Sequence, residues 1–194
     1  MDMTETIGRG SFQKVILPEN LVFPATVTEL GKWTFQFCSG VKTITFAGDK
    51  IKYLGGATFA SIPTLQSIVI PASVASITDC LKSCSNLNDV TFSRSKVVHG
   101  SITTGNPFGG SYPSDMQIKV PGDSYADYCA SLPGYAAYIV KPPAQTFTVT
   151  IEGATINGKK TLELESGAGL PADAAVVYDD EAACLGWAHG RAYY

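Results

Sequence analysis

The chain has 194 residues, 45% of them hydrophobic, with a formal net charge of −3 and a pI near 5.3. That much apolar material supports a sizeable core in one or two domains and excludes wholesale disorder. An acidic chain without a basic stripe is no nucleic-acid binder, and no apolar run approaches the ~20 residues that cross a bilayer, so no membrane insertion is expected.

The N-terminal Met1-Asp2-Met3-Thr4-Glu5 is acidic and no apolar stretch follows it, which is not the pattern of a secretory signal. Next, Ile7-Gly8-Arg9-Gly10-Ser11-Phe12-Gln13-Lys14-Val15 looks like the glycine-rich loop that covers ATP phosphates in protein kinases. Gln13 stands where the third glycine belongs. No Val-Ala-Ile-Lys, His-Arg-Asp or Asp-Phe-Gly follows to hold phosphates and magnesium. The same residues fit a repeat unit clipped after Phe12, with Ile7-Gly8 in the slot that Leu30-Gly31 fills next.

Internal periodicity is the dominant signal. Leu30, Phe35, Cys38, Val41, Ile44 and Phe46 share the spacing five, three, three, three, two with Leu54, Phe59, Ile62, Leu65, Ile68 and Ile70. Ile77, Leu81, Cys84, Leu87, Val90 and Phe92 follow one residue shorter at the first step. Each unit ends in an apolar-x-apolar pair, as a short half-buried strand requires. The expected strand pairs are Val15/Leu17, Ile44/Phe46, Ile68/Ile70, Val90/Phe92 and Ile118/Val120, with Pro18, Pro71 and Pro121 stopping three of them. One such unit cannot bury its apolar side alone. Stacked units bury it against one another and pair their strands into a parallel sheet, which is a solenoid. Between the buried strand positions lie Thr43, Thr45, Ser67, Val69, Asp89, Thr91, Gln117 and Lys119, expected to form an exposed and mostly polar ladder.

The five cysteines, Cys38, Cys80, Cys84, Cys129 and Cys184, are an odd number, which suggests no closed disulfide framework. Cys80 and Cys84 have neither a second pair nor a nearby histidine, so buried free thiols are expected rather than zinc.

The pattern Leu-Gly-x-x-x-Phe-x-x-Cys-x-x-Val-x-x-Ile from Leu30 to Ile44 resembles the BspA-like bacterial leucine-rich repeat, and the resemblance covers about residues 7–140. It implies an α/β solenoid with a short-stranded parallel sheet and a helical C-terminal cap. It also implies a bacterial protein that is secreted or on the cell surface, with a part in adhesion. Thr78 departs from the pattern at a position where glycine is usual.

The stretch Ser93–Asp115 reads as a swollen unit in which only Ile102 and Phe108 are core positions, and His99 lies in it, where pairing with Asp115 is conceivable. Tyr125, Tyr128, Cys129, Leu132 and Tyr135 then fall at helical spacing, with Asp123 or Ser124 as N-cap and Pro133-Gly134 as the stop. This segment is expected to cap the core; aromatic ligand binding is the lesser alternative.

Lys141-Pro142-Pro143-Ala144-Gln145 reads as a stiff linker between a solenoid at 1–141 and a small all-β module at 142–194. In the module, Phe147, Val149 and Ile151 alternate, as do Leu162 and Leu164, around the hairpin signal Asn157-Gly158. Val176-Val177-Tyr178 is a third strand. A last one has Leu185, Trp187, His189, Arg191 and Tyr193 on one face. The run Asp179-Asp180-Glu181 lacks the alternating ligands of a calcium loop and reads as a solvated turn.

No nucleophile–base pair, metal set or cofactor motif can be assembled, in the Ser93–Asp115 loop or elsewhere, so no cofactor and no enzyme activity are expected. The leading expectation is a non-catalytic module that binds a protein or a glycan through the repeat sheet. The second is a rigid spacer whose C-terminal strand mediates anchoring or self-association.

Overall fold

The structure, a computed structural model, describes residues 5–109, 112–143, 146–150, 154–165 and 176–178. The chain divides into two compact units, Met1–Pro142 and Pro143–Tyr194.

The first unit is a coil of short strands: β1 (Glu5–Ile7), β2 (Asn20–Phe23), β3 (Val27–Leu30), β4 (Thr43–Phe46), β5 (Tyr53–Leu54), β6 (Ser67–Ile70), β7 (Ser76–Ile77), β8 (Asp89–Phe92), β9 (Thr103–Thr104) and β10 (Gln117–Lys119). The order β10-β8-β6-β4-β2 forms one parallel five-stranded sheet. Two further parallel ladders, β1-β3 and β5-β7-β9, carry the other strands. Between strands the units close by turns. Among the described residues of this unit the α-helices are α1 (Lys96–His99) and α2 (Tyr125–Ser131), so the repeats themselves are all-β and the expected α/β character is corrected to a parallel β-solenoid.

The first strand of the sheet is Asn20–Phe23 and not the expected Val15/Leu17 pair. Leu21 pairs with Ile44 and Phe23 with Phe46, whereas Ile16 makes only an isolated bridge to Ser39. Counted from Ile7, the spacing five, three, three, three, two reaches Phe12, Val15, Pro18, Leu21 and Phe23. The first unit is therefore complete rather than clipped after Phe12. Pro18 hid it by occupying the column of Val41 and Leu65. Pro24 ends β2 just as Pro71 ends β6. The kinase-like stretch is part of this unit: Ile7 pairs with Leu30, and the Gly31 amide donates to the Ile7 carbonyl at 2.8 Å.

The repeated positions build continuous columns. Phe12, Phe35 and Phe59 stack at 5.3 and 5.6 Å between ring centroids, and Phe23 stacks on Phe46 at 4.9 Å. Such offset ring pairs add to the area they bury. Cys38, Val41, Ile44, Leu54, Phe59, Ile62, Leu65, Ile68 and their successors are completely enclosed.

The fully buried threonines of the coil are satisfied layer to layer, as burial requires, whereas the enclosed Thr64 hydroxyl has no partner among the described residues. The Thr34 hydroxyl lies 2.7 Å from the Gly31 carbonyl and 3.0 Å from that of Gly8, and the Thr58 hydroxyl lies 2.5 Å from Gly55 and 3.3 Å from Gly31. The cysteine thiols repeat the device: Cys38 donates to the Phe12 carbonyl at 2.9 Å and Cys84 to that of Phe59 at 3.1 Å.

Each of the first four units places at least two residues in the left-handed backbone region. Gly10, Trp33, Ala57 and Asp79 form one such column, and Lys14, Phe37, Ser61 and Ser83 the other, all with φ between 50° and 63°. Most are not glycine, and each costs about 1–2 kcal/mol of backbone strain. The stacking enforces the same tight shape on these four units.

The unit at 93–119 is swollen by α1, as the sequence suggested, and Ile102 and Phe108 join the core ahead of Met116 and Ile118. Arg94 fastens the insertion. Its guanidinium donates to the carbonyls of Gly100 at 3.0 Å, Ala72 at 2.9 Å and His99. After β10, Gly122–Ser124 forms a 3-10 turn, α2 follows, and Pro133–Tyr138 is again 3-10. Tyr128, Leu132 and Ile139 are buried with the repeat core, Phe92 packs on Tyr128 and Phe108 on Tyr135, and the Val140 amide donates to the Ile118 carbonyl at 2.8 Å. Ser124 precedes the helix but its hydroxyl accepts the Lys96 amide at 2.7 Å instead of capping.

In the second unit, β11 (Thr146–Thr150) pairs antiparallel with β13 (Thr161–Glu165), and β12 (Ala154–Ile156) with β14 (Val176–Tyr178). Asn157 and Gly158 take φ of 51° and 75° in the two-residue turn between Ile156 and Lys159, as the Asn-Gly signal requires. Ile151, Asp179-Asp180-Glu181, Cys184 and the expected last strand from Leu185 to Tyr193 lie outside the described residues.

Candidate functional site

The register of the five-stranded sheet sets the outward side chains in two rows. One runs Asn20, Thr43, Ser67, Asp89, Gln117 straight across the strands. The other contains Val22 beside Thr45, and Val69 beside Thr91 beside Lys119. Alternation along each strand turns Ile44, Ile68, Val90 and Ile118 inward and leaves these positions outward. Strands ~4.8 Å apart give a row of five a length of about 19 Å.

All eight residues expected from the sequence are on this face. Val69, Gln117 and Lys119 are exposed, and Thr43, Thr45, Ser67, Asp89 and Thr91 are half-buried by their neighbours. Asn20 and Val22 escape the sequence reading because Val15/Leu17 imitates the first strand. The proline after Phe23 and the repeat spacing from Ile7 were the signals that would have found them.

Cross-strand contacts hold the rows. Thr43 donates to the Asn20 side-chain carbonyl at 2.7 Å, and Lys119 meets Asp89 at 2.5 Å. The Lys119–Asp89 pair is half-exposed and orders side chains more than it stabilises. At the C-terminal ends of β4 and β6 the face continues into a shallow hollow lined by Phe46, Gly48, Asp49, Val69, Pro71 and Ser93. Asp49 is held there by the Ser73 amide at 2.5 Å.

The chemistry on offer is hydroxyls, amides and one ion pair set among β-branched methyl groups. That combination suits hydrogen bonding and flat contact. The thiols of Cys38, Cys80 and Cys84 are turned to the core, and Cys129 is half-buried. Burial pushes Cys84 up to about 11, and burial followed by the neighbouring Cys84 pushes Cys80 well above its ordinary value. Neither is a thiolate at neutral pH. No hydrogen bond or ion pair joins His99 to Asp115 among the described residues. No group of three or more metal-ligating side chains converges among them. No helix of the described residues is long and apolar enough to cross a membrane.

A comparison with curated proteins finds no match to the chain. A comparison with family models finds one: the BspA type leucine-rich repeat region, in 6 copies over residues 5–103. The matched span opens at β1, so it includes the complete first unit, and it closes in the swollen one. Leucine-rich repeats of this kind make repeat modules for protein interaction. With the columns, the parallel ladders and this match in agreement, the chain belongs to the BspA-type leucine-rich-repeat family.

Proposed function

We propose that the chain is a non-catalytic binding module of a bacterial surface or secreted protein. It holds a protein or a glycan on the five-stranded sheet and serves adhesion. The observation that carries this is the pair of outward rows, from Asn20 to Gln117 and from Val22 to Lys119, ordered by cross-strand bonds on a rigid coil. A preformed surface loses little side-chain freedom on binding. In this reading residues 1–141 are one domain, α2 and the following turn close its core, and 142–194 are a small β module.

The full chain, probed on arrays of purified glycans and of purified surface and matrix proteins, is expected to give a saturable signal. Thr45→Arg with Val69→Arg and Thr91→Arg abolishes that signal while leaving the melting temperature in place. A triple variant that binds like the parent would refute the assignment of the face.

A second reading makes the solenoid a spacer and the C-terminal module the part that anchors or self-assembles. The two separate antiparallel strand pairs of that module favour it, because each leaves unpaired edges among the described residues.

A further inference from the structure

One crossing inside the coil is longer than its neighbours. The chain takes seven residues from Phe23 to Leu30 and from Ile70 to Ile77, but eight from Phe46 to Leu54. The extra residue falls before Ile51, which is buried in the column of Val27 and Val74. At this layer the ladder opens. In the other layers an amide donates to the layer before it: Gly31 to the Ile7 carbonyl at 2.8 Å, Thr78 to that of Leu54 at 2.9 Å and Gly105 to that of Ile77 at 2.9 Å. No such bond joins Gly55 to Leu30 among the described residues, and β3 and β5 belong to separate ladders. Gly55 is buried, so its amide is a donor withdrawn from water with no acceptor among the described residues. Buried backbone donors are nearly always paired. Gly55 lines a cavity of about 380 Å³, together with Glu29, Leu30, Lys32, Lys52 and Tyr53. That volume is at the small end of ligand sites.

We propose that this cavity binds a uronic acid unit of an acidic glycan, with the sugar carboxylate on the Gly55 amide and the ammonium groups of Lys32 and Lys52. Both lysines are exposed, and neither is held in an ion pair among the described residues. A charged acceptor makes the stronger kind of hydrogen bond to such donors. A bare anion does not account for the whole lining, because the Glu29 carboxylate and the Leu30 carbonyl repel negative charge. A uronic acid carries hydroxyls beside its carboxylate, and those hydroxyls donate to Glu29 and Leu30. The Tyr53 ring adds an aromatic wall for the C–H face of the sugar. It is 47% exposed, and its hydroxyl meets that of Thr78 at 3.0 Å, which holds the ring in place before any ligand arrives. The site lies on the ladders of β3 and β5 and not on the five-stranded sheet, so it stands or falls apart from the outward rows of that sheet.

Titration of the full chain with sodium glucuronate and sodium galacturonate, followed by amide NMR, is the test. A saturable shift of the Gly55 amide is expected with at least one of the two. Lys32→Gln and Lys52→Gln each weaken that binding about tenfold or more, with an unchanged circular dichroism spectrum. Glucose, which has the hydroxyls without the carboxylate, and acetate, which has the carboxylate without the hydroxyls, each bind about tenfold more weakly or worse. A Gly55 amide that moves with neither uronate overturns the proposal. So does equal binding of glucose or acetate, or a dissociation constant indifferent to both lysine substitutions. Glutamate binding as tightly as the uronates also overturns it, and would make an amino acid the ligand.

Discussion

Thr58 carries more of the fold than its polarity suggests. It is fully buried, and its hydroxyl serves the carbonyls of Gly55 and Gly31, joining two layers. Thr58→Val keeps the shape and removes the donor, so the chain should lose about 1–3 kcal/mol, read by chemical denaturation, while Thr58→Ser keeps most of it. Cys84 makes a second residue-scale prediction. Its proton is held more tightly in the folded chain, since burial raises it from an ordinary value near 9.0 to about 11. That contribution is fully present below about 9 and is lost as pH rises through about 11. Tyr128 is raised by burial as well and acts in the same direction. The denaturant midpoint should therefore fall as pH rises from about 9 to about 11, and less so in Cys84→Ala. Hydrophobic columns were legible from spacing alone at Phe35, Phe59 and Ile62. The hydroxyl and thiol bonds between layers were not: Ser11, Thr34 and Thr58 recur one step before Phe12, Phe35 and Phe59, but the recurrence alone does not tell which carbonyl each hydroxyl meets.

At the scale of the element, glycine marks where layers approach too closely for a side chain. A Cβ on Gly31 would stand 2.5 Å from the Arg9 nitrogen and 2.7 Å from the Gly8 carbonyl carbon, both backbone. Gly31→Ala should thus cost about 1–3 kcal/mol by overpacking. Gly134→Ala, with nothing within 4 Å of its Cβ, should change the melting temperature little. Thr78 replaces the glycine of the fourth unit, and its methyl lies against Gly105, where a Cβ would come within 2.8 Å. Four strand pairs of the sheet were readable from apolar alternation. The first was not: Pro18 imitates a strand end, and Val15 and Leu17 alternate as convincingly as Leu21 and Phe23. The absence of repeat helices was also hidden, since turns with left-handed residues at Trp33 and Phe37 leave no composition cue of the glycine kind.

For the whole molecule, stacking makes both the core and the face. The same two-residue alternation that buries Ile44, Ile68 and Val90 presents Thr43, Ser67 and Asp89 in a line, so the candidate site follows from the fold without further design. This is why its eight residues could be named from sequence, whereas the hollow beside Phe46 and Pro71 depended on how β4 and β6 end in space. The most direct test of a sheet-borne binding face is the affinity of the full chain for its array ligand after single substitutions on opposite sides of the coil. Thr45→Arg and Val69→Arg should each weaken binding about tenfold or more, while Lys82→Glu, exposed on the turn side, should leave it unchanged. Equal affinities for the sheet variants and the parent, or a loss confined to Lys82→Glu, would contradict the account.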